Sequence, residues 1–283
     1  GFEREEIVAV ARRFGGSKNL EALEEATPVL LEFGFDATQI ARIASHEGGS
    51  KTLKTLQQSY DALTGLGFNV DRIACIASYN GASETLKAVQ RSYNALTGIG
   101  FGVDQIVRIA SHNVGAKNIA AVEASGLAFL NNGFTLHQIV RMASHDVGHD
   151  NVVVAKASVE QLMHFGLTQA QITRLAGRQE GGRSKVIQML SLCEAYDADA
   201  LNAEILNNLF NSLIFSHTDS PLASSDDESS EAASTAESDS DSEPEFDCEF
   251  AVSSNGVFGN KRSRVLDAPT PDSDSEPEFD CDF

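Results

Sequence analysis

A phenylalanine returns every 33 residues in this chain, at Phe2, Phe35, Phe68, Phe101 and Phe134, and Leu167 takes the next place. Glycine precedes it each time, at Gly34, Gly67, Gly100, Gly133 and Gly166. A fixed period of about 20–50 residues marks a stack of supersecondary units in which each buries its apolar face against its neighbours. Gly1 stands where an earlier unit would close, so the pattern predicts repeats upstream of it.

The unit from Phe68 to Gly100 shows what repeats. Val70, Ile73, Ile76 and Ala77 are spaced by three or four or lie side by side, as on one face of a helix. Tyr79-Asn80-Gly81 breaks the pattern. Leu86, Val89, Tyr93 and Leu96 give a second amphipathic helix, with Gly98 and Gly100 expected to stop it. The fold class is all-α, an α-solenoid of helix–loop–helix units. The array covers residues 1–199 with units starting at 2, 35, 68, 101, 134 and 167, followed by an off-register capping helix over 200–215. Pro28, inside the second helix of the first unit, removes one backbone hydrogen bond and predicts a kink.

Periodicity alone leaves open a solenoid that grips proteins on a concave face. The loops bear on that choice. They read Ser45-His46-Glu47-Gly48-Gly49, Ser78-Tyr79-Asn80-Gly81-Ala82, Ser111-His112-Asn113-Val114-Gly115 and Ser144-His145-Asp146-Val147-Gly148. The outer units give Arg13-Phe14-Gly15-Gly16 and Arg178-Gln179-Glu180-Gly181. With its 33-residue period, Phe start, Gly end and Ile-Ala-Ser-His-x-Gly-Gly element, the array over residues 2–199 resembles the repeats of transcription activator-like effectors, above all their shorter TALE-like relatives.

The resemblance implies a right-handed superhelix that reads double-stranded DNA in the major groove, one base of one strand per repeat. The thirteenth residue of each unit would touch the base: Phe14, Glu47, Asn80, Asn113, Asp146 and Gln179. The twelfth would turn back and brace the loop: Arg13, His46, Tyr79, His112, His145 and Arg178. By this analogy Glu47, Asn80, Asn113 and Asp146 read 5′-C-purine-G-C-3′. The chemistry agrees, since a carboxylate accepts from the N4 amino group of cytosine and an Asn donates to purine N7. Phe14 offers only apolar contact, as to a thymine methyl. A recurring His at a helix end also satisfies backbone carbonyls, which is compatible with bracing. A protein-binding solenoid has no reason to confine its variation to a donor-or-acceptor position in a Gly loop.

Phosphate contacts are expected just beyond. Gly15, Gly16, Gly48, Gly49, Gly81, Gly115 and Gly148 allow close backbone approach. Lys18, Lys51, Lys117 and Arg183 recur at the seventeenth position, where the second helix begins. Glu84 and Asp150 hold that position in the other two units and weaken the row. Arg42, Arg108, Arg141 and Arg174 recur at the eighth position. Stacked helices lie about 8–10 Å apart, whereas bases rise roughly 3.4 Å. A one-repeat-per-base reader must therefore coil around the duplex with its loops innermost.

The net charge of −20 would argue against nucleic acid, but it is unevenly placed. Residues 1–199 carry 18 basic and 21 acidic side chains, a net of −3; residues 200–283 carry 3 and 20, a net of −17. Residues 216–283 are expected to form a disordered acidic tail. It holds two copies of Asp-Ser-Asp-Ser-Glu-Pro-Glu-Phe-Asp-Cys-(Glu/Asp)-Phe, at Asp239–Phe250 and Asp272–Phe283. Such acid–aromatic alternation fits an activation segment for transcription machinery, a signal for a secretion machine, or a solubilising tail.

Four cysteines without a CxxC pair or a His cluster predict a reducing compartment and neither disulfide nor zinc framework. The sequence shows no nucleophile–base pair, no phosphate-cradling strand–loop–helix and no paired catalytic carboxylates. The expectation is a monomeric, non-enzymatic protein without cofactor, metal or membrane span. Its partner is double-stranded DNA, and its role as an effector regulating transcription would place it in a bacterial cytoplasm or a host nucleus. The alternative is a protein-interaction solenoid that has lost or weakened DNA binding, favoured by the core charge of −3 and by Glu84 and Asp150.

Overall fold

The computed structural model describes residues 2–13, 15–179, 181–196 and 201–215. The expectations for Phe14, for Glu180 and for the acidic segment from residue 216 fall outside the described residues.

Among the described residues every element is helical. Each unit has a short first helix: α1 (Arg4–Ala11), α3 (Ala37–Ala44), α5 (Val70–Ala77), α7 (Val103–Ala110), α9 (Leu136–Ala143) and α11 (Gln169–Ala176). A longer second helix follows: α2 (Gly16–Glu32), α4 (Gly49–Gly65), α6 (Ala82–Ile99), α8 (Gly115–Asn131), α10 (Gly148–His164) and α12 (Gly182–Ala195). Each packs against its counterparts in the adjoining units, so the units form the expected stack.

The recurring Gly-Phe pair is a helix-ending device. Gly34 takes the left-handed conformation at φ 93°, its N–H donating to Leu31 O, while the Phe35 N–H reaches back to Leu30 O. This six-to-one plus five-to-two pairing closes the helix with two of its orphan carbonyls satisfied. The same pair of bonds recurs at Gly67-Phe68 and Gly133-Phe134. Phe35, Phe68, Phe101 and Phe134 are then buried at the junction. Each side chain of this size contributes about 1.5–3 kcal/mol on burial.

First helices start on caps. Asp36 accepts from the Gln39 N–H while Gln39 Oε1 accepts from the Asp36 N–H; Thr135 with Gln138 and Thr168 with Gln171 repeat the exchange. One expectation needs amendment. Gly98 does not stop its helix: α6 runs through it to Ile99 and ends on Gly100, which alone takes positive φ. Pro28 lies inside α2 as expected, and the helix continues past it to Glu32.

The capping helix, α13 (Ala203–Phe215), has a defined register. Leu206 packs on Gly166 as Val70, Val103 and Leu136 pack on Gly34, Gly67 and Gly100. Gln171 donates to Asn207 as Gln39 donates to Asp71. Arg178 donates to Ile214 O as His145 donates to Gly177 O. All three pairs are displaced by the same four residues. α13 is the first helix of a seventh unit, preceded by a four-residue insertion.

Candidate nucleic-acid interface

The loops between paired helices separate their two middle residues by exposure. His46, Tyr79, His112, His145 and Arg178 are half-buried, whereas Glu47, Asn80, Asn113, Asp146 and Gln179 are exposed. Arg13 is exposed, unlike its counterparts.

The twelfth-position side chains turn inward by different routes. Burial pushes the His46 imidazole below its ordinary value, with the nearby Arg42 and Arg13 charges acting the same way. His112 is lowered chiefly by burial, against the opposing pull of the Asp146 carboxylate and of the Arg108 backbone in its own unit. His145 Nε2 instead donates across the unit boundary to Gly177 O at 2.9 Å. Arg178 Nη2 donates to Ile214 O at 2.8 Å, and Lys185 Nζ reaches Leu213 O. Two cations thus face the carbonyl end of α13, where the helix dipole favours positive charge. The Tyr79 ring lies 6.1 Å from the His112 ring, so consecutive twelfth residues face one another.

The thirteenth residues form a row. Asn80 Oδ1 accepts from the Glu47 N–H at 3.1 Å, Asn113 Oδ1 from the Asn80 N–H at 3.3 Å, and Asp146 Oδ1 from the Asn113 N–H at 3.1 Å. Asp146 Oδ2 also accepts from Asn113 Nδ2 at 3.3 Å.

Sequence reasoning missed a set of buried asparagines that hold the loops from the preceding unit. Asn118 Nδ2 donates to His145 O at 2.9 Å, and its Oδ1 accepts from the His149 N–H at 2.8 Å. Asn19 does the same for the loop of His46, donating to His46 O and accepting from the Ser50 N–H. Asn151 donates to Arg178 O at 3.2 Å, though its buried Oδ1 finds no donor among the described residues. All three sit at the eighteenth position of their units. Thr52 and Thr85 hold it in the second and third units, and their hydroxyls donate back to Gly48 O and Gly81 O in their own chain turns. The signal was a recurrent Asn, diluted by Thr.

The glycines divide into two kinds. Gly15, Gly48 and Gly81 are exposed and adopt positive φ between 75° and 78°. Gly16, Gly49, Gly115 and Gly148 are buried, and their N–H groups donate within the loop to the twelfth or equivalent carbonyl. A Cβ on Gly148 would lie 2.0 Å from Ala143 O, so this glycine lets the second helix start against the end of the first. Val114 and Val147 replace the exposed glycine in the fourth and fifth units, with φ near −112° and −111°. Their loops accordingly turn differently, the His112 and His145 N–H groups closing onto Ala110 O and Ala143 O.

The seventeenth-position row is partly neutralised from within. Lys51 Nζ meets Glu84 Oε1 at 2.6 Å, which holds the Glu84 carboxyl below its ordinary value, and Lys87 lies 3.7 Å from the same oxygen. Arg183 lies 3.8 Å from Asp150. Lys18 and Lys117 are exposed at the same helix starts. Among the described residues no group of His, Cys, Asp and Glu is placed to hold a metal ion, and no helix is long and apolar enough to cross a membrane.

A family model of the TAL effector repeat matches residues 47–79 and 81–112, two consecutive stretches of which the first begins at the second unit's thirteenth residue. No curated protein matches the chain. Residues 47–79 and 81–112 thus carry repeats of the TAL effector type, and the other units share their period and helix–loop–helix arrangement.

Proposed function

We propose that the array binds double-stranded DNA in sequence-specific fashion, one repeat facing one base through the major groove. The observation that carries this reading is the sorting of the five loops from the second unit to the sixth into a half-buried twelfth residue and an exposed thirteenth. Exposed Asn and carboxylate side chains are groups that discriminate base edges. Glu47, Asn80, Asn113 and Asp146 are the proposed readers, with His46, Tyr79, His112 and His145 bracing. Gln179, beside the unit that adjoins α13, and Phe14 are the weaker ends of the row.

Phosphate contacts are assigned to Lys18, Lys51, Lys117 and Arg183 with the exposed loop glycines. Four such contacts give a log-log salt slope of about −3.6, and two internally paired cations bring it toward about −1.8. Base contacts of about 1–3 kcal/mol each must then supply much of the affinity. The acidic segment from residue 216 is assigned to transcription or secretion machinery.

Fluorescence anisotropy of the full chain tests this with duplexes containing CGGC, CAGC or a scramble of the same bases, at two salt concentrations. Preference for the first two over the scramble is the expected result. Salt-sensitive binding without preference overturns the base code. The ion pairs Lys51–Glu84 and Asp150–Arg183 favour a second reading, a protein-binding solenoid. Absence of duplex binding at the lower salt would select it.

A further inference from the structure

The thirteenth residues do more than project outward in parallel. Each offers its side-chain oxygen to the backbone N–H of the thirteenth residue before it, in three consecutive pairs each 33 residues apart. We infer that this ladder makes base choice directional and coupled: each reader is positioned by the reader that follows it, and Asp146 is the positioning residue for Asn113. The inference rests on the DNA-binding reading above for its consequence in base choice, and on geometry alone for the ladder itself.

The Asn113 amide shows why the coupling carries chemistry. Its Oδ1 is held by the Asn80 N–H, and its Nδ2 is directed to Asp146 Oδ2. An Asn side chain can present either its oxygen or its NH₂ to a base, because the amide is near-symmetric in shape. Here both ends are engaged in the same sense, which fixes the amide's polarity. Nδ2 carries two hydrogens, so one remains for a purine N7 while Asp146 takes the other. A flipped amide would set Asn113 Oδ1 against the Asp146 carboxylate and NH₂ against the Asn80 N–H, two repulsive contacts in place of two bonds. Asn80 lacks this second restraint, because its follower is a neutral Asn whose Oδ1 already accepts from the Asn80 N–H. The fourth unit should therefore discriminate purine from pyrimidine more sharply than the third, although both read with Asn.

The coupling also separates what a carboxylate at position 146 does for its own base from what it does for its neighbour's. Asp146→Asn retains an Oδ1 acceptor for the Asn113 N–H, as Asn113 does for Asn80. Asp146→Ala removes every acceptor.

The test has two arms on the full chain. In the DNA-free protein, exchange of the Asn113 backbone amide is followed by NMR for wild type, Asp146→Ala, Asp146→Asn and a control, Asp104→Ala, away from the loops. A single exposed hydrogen bond gives about a 2- to 10-fold effect. Faster exchange by that factor in Asp146→Ala alone, with Asp146→Asn near wild type, is expected. Equal exchange in Asp146→Ala and wild type overturns the ladder. In the second arm, affinity is measured for duplexes that differ only at the base facing the fourth unit. Asp146→Ala is expected to lower the purine-over-pyrimidine ratio there several-fold. An unchanged ratio beside a changed exchange rate overturns the coupling. Failure of the wild type to bind any duplex contradicts the DNA reading and with it the coupling of base choice, while the exchange arm still decides whether the ladder exists.

Discussion

Asn118→Ala should release one loop and leave the rest of the array in place. Asn118 is fully buried, and its amide joins two groups of the following unit, the His145 carbonyl at 2.9 Å and the His149 N–H at 2.8 Å. Alanine leaves the His149 N–H without its partner, whereas the His145 carbonyl keeps the Gly148 N–H at 2.9 Å. A buried polar group that loses its partner costs about 1–3 kcal/mol, and that is the local cost expected for this loop. Repeat arrays open unit by unit, which makes a global melting curve a poor gauge. Site-resolved amide exchange is the suitable assay. At a factor of ten per about 1.4 kcal/mol, the His149 amide should exchange about 5- to 140-fold faster. The Ser50 amide, held in the same way by Asn19, is the internal control and should not change. Asn118→Thr installs the residue found at Thr52 and Thr85 and should fall between wild type and alanine. Exchange at His149 within twofold of wild type, or equal acceleration at Ser50, would refute the argument that these asparagines strap individual loops.

Other perturbations bear on separate parts of the account. Gly148→Ala should speed amide exchange around its loop, a local destabilisation of about 1–3 kcal/mol, because the added Cβ meets the Ala143 carbonyl rather than a movable side chain; Ala82 shows that a loop can adjust, with its N–H bond to Tyr79 O at 3.2 Å against 2.9 Å at Gly49. Glu84→Gln should free Lys51 for phosphate and steepen the salt slope of DNA binding by up to about 0.9, with little change in urea stability because the pair is exposed to solvent. Burial lowers the folded values of His46 and His112, so their contribution to stability is fully present above the unfolded value of 6.5 and is lost as pH falls from there toward the depressed folded values. Urea midpoints should drop between pH 7.5 and 5, and the double variant His46→Gln, His112→Gln should flatten that dependence; an unchanged slope would contradict it.

Much of this was legible in the sequence because it recurs locally. Gly-Phe at a 33-residue spacing encodes a helix ending whose bonds all lie within six residues. The Ser-His loop marks where the helices break, and the polar thirteenth residue marks what faces outward. What escaped depends on register between units. Asn118 looks like an ordinary polar residue in a helix until the following loop is placed over it, and Thr at two of the equivalent positions hides the recurrence. Lys51 and Glu84 are 33 residues apart and read as a weakened basic row, whereas stacking makes them an ion pair. The capping helix read as off-register for a simple reason: four inserted residues shift Leu206, Asn207 and Ile214 out of the period while leaving their packing in it. Gly98 was misjudged as a stop because α-helix tolerates a glycine when the left-handed turn is supplied two residues later, at Gly100.

One-repeat-per-base readout is tested most directly by changing one thirteenth residue and scanning every base. Asp146→Asn keeps an acceptor for the Asn113 N–H and alters the group offered to the fifth unit's base. Affinities of the full-length wild type and variant would be measured against duplexes carrying each of the four bases in turn at each position of the CGGC site. The account predicts that preference moves from cytosine to purine at the base facing the fifth unit, that the fourth unit's purine preference softens toward that of the third, and that the other positions keep theirs. An even loss of affinity at all positions, or an unchanged preference at that one, would contradict it.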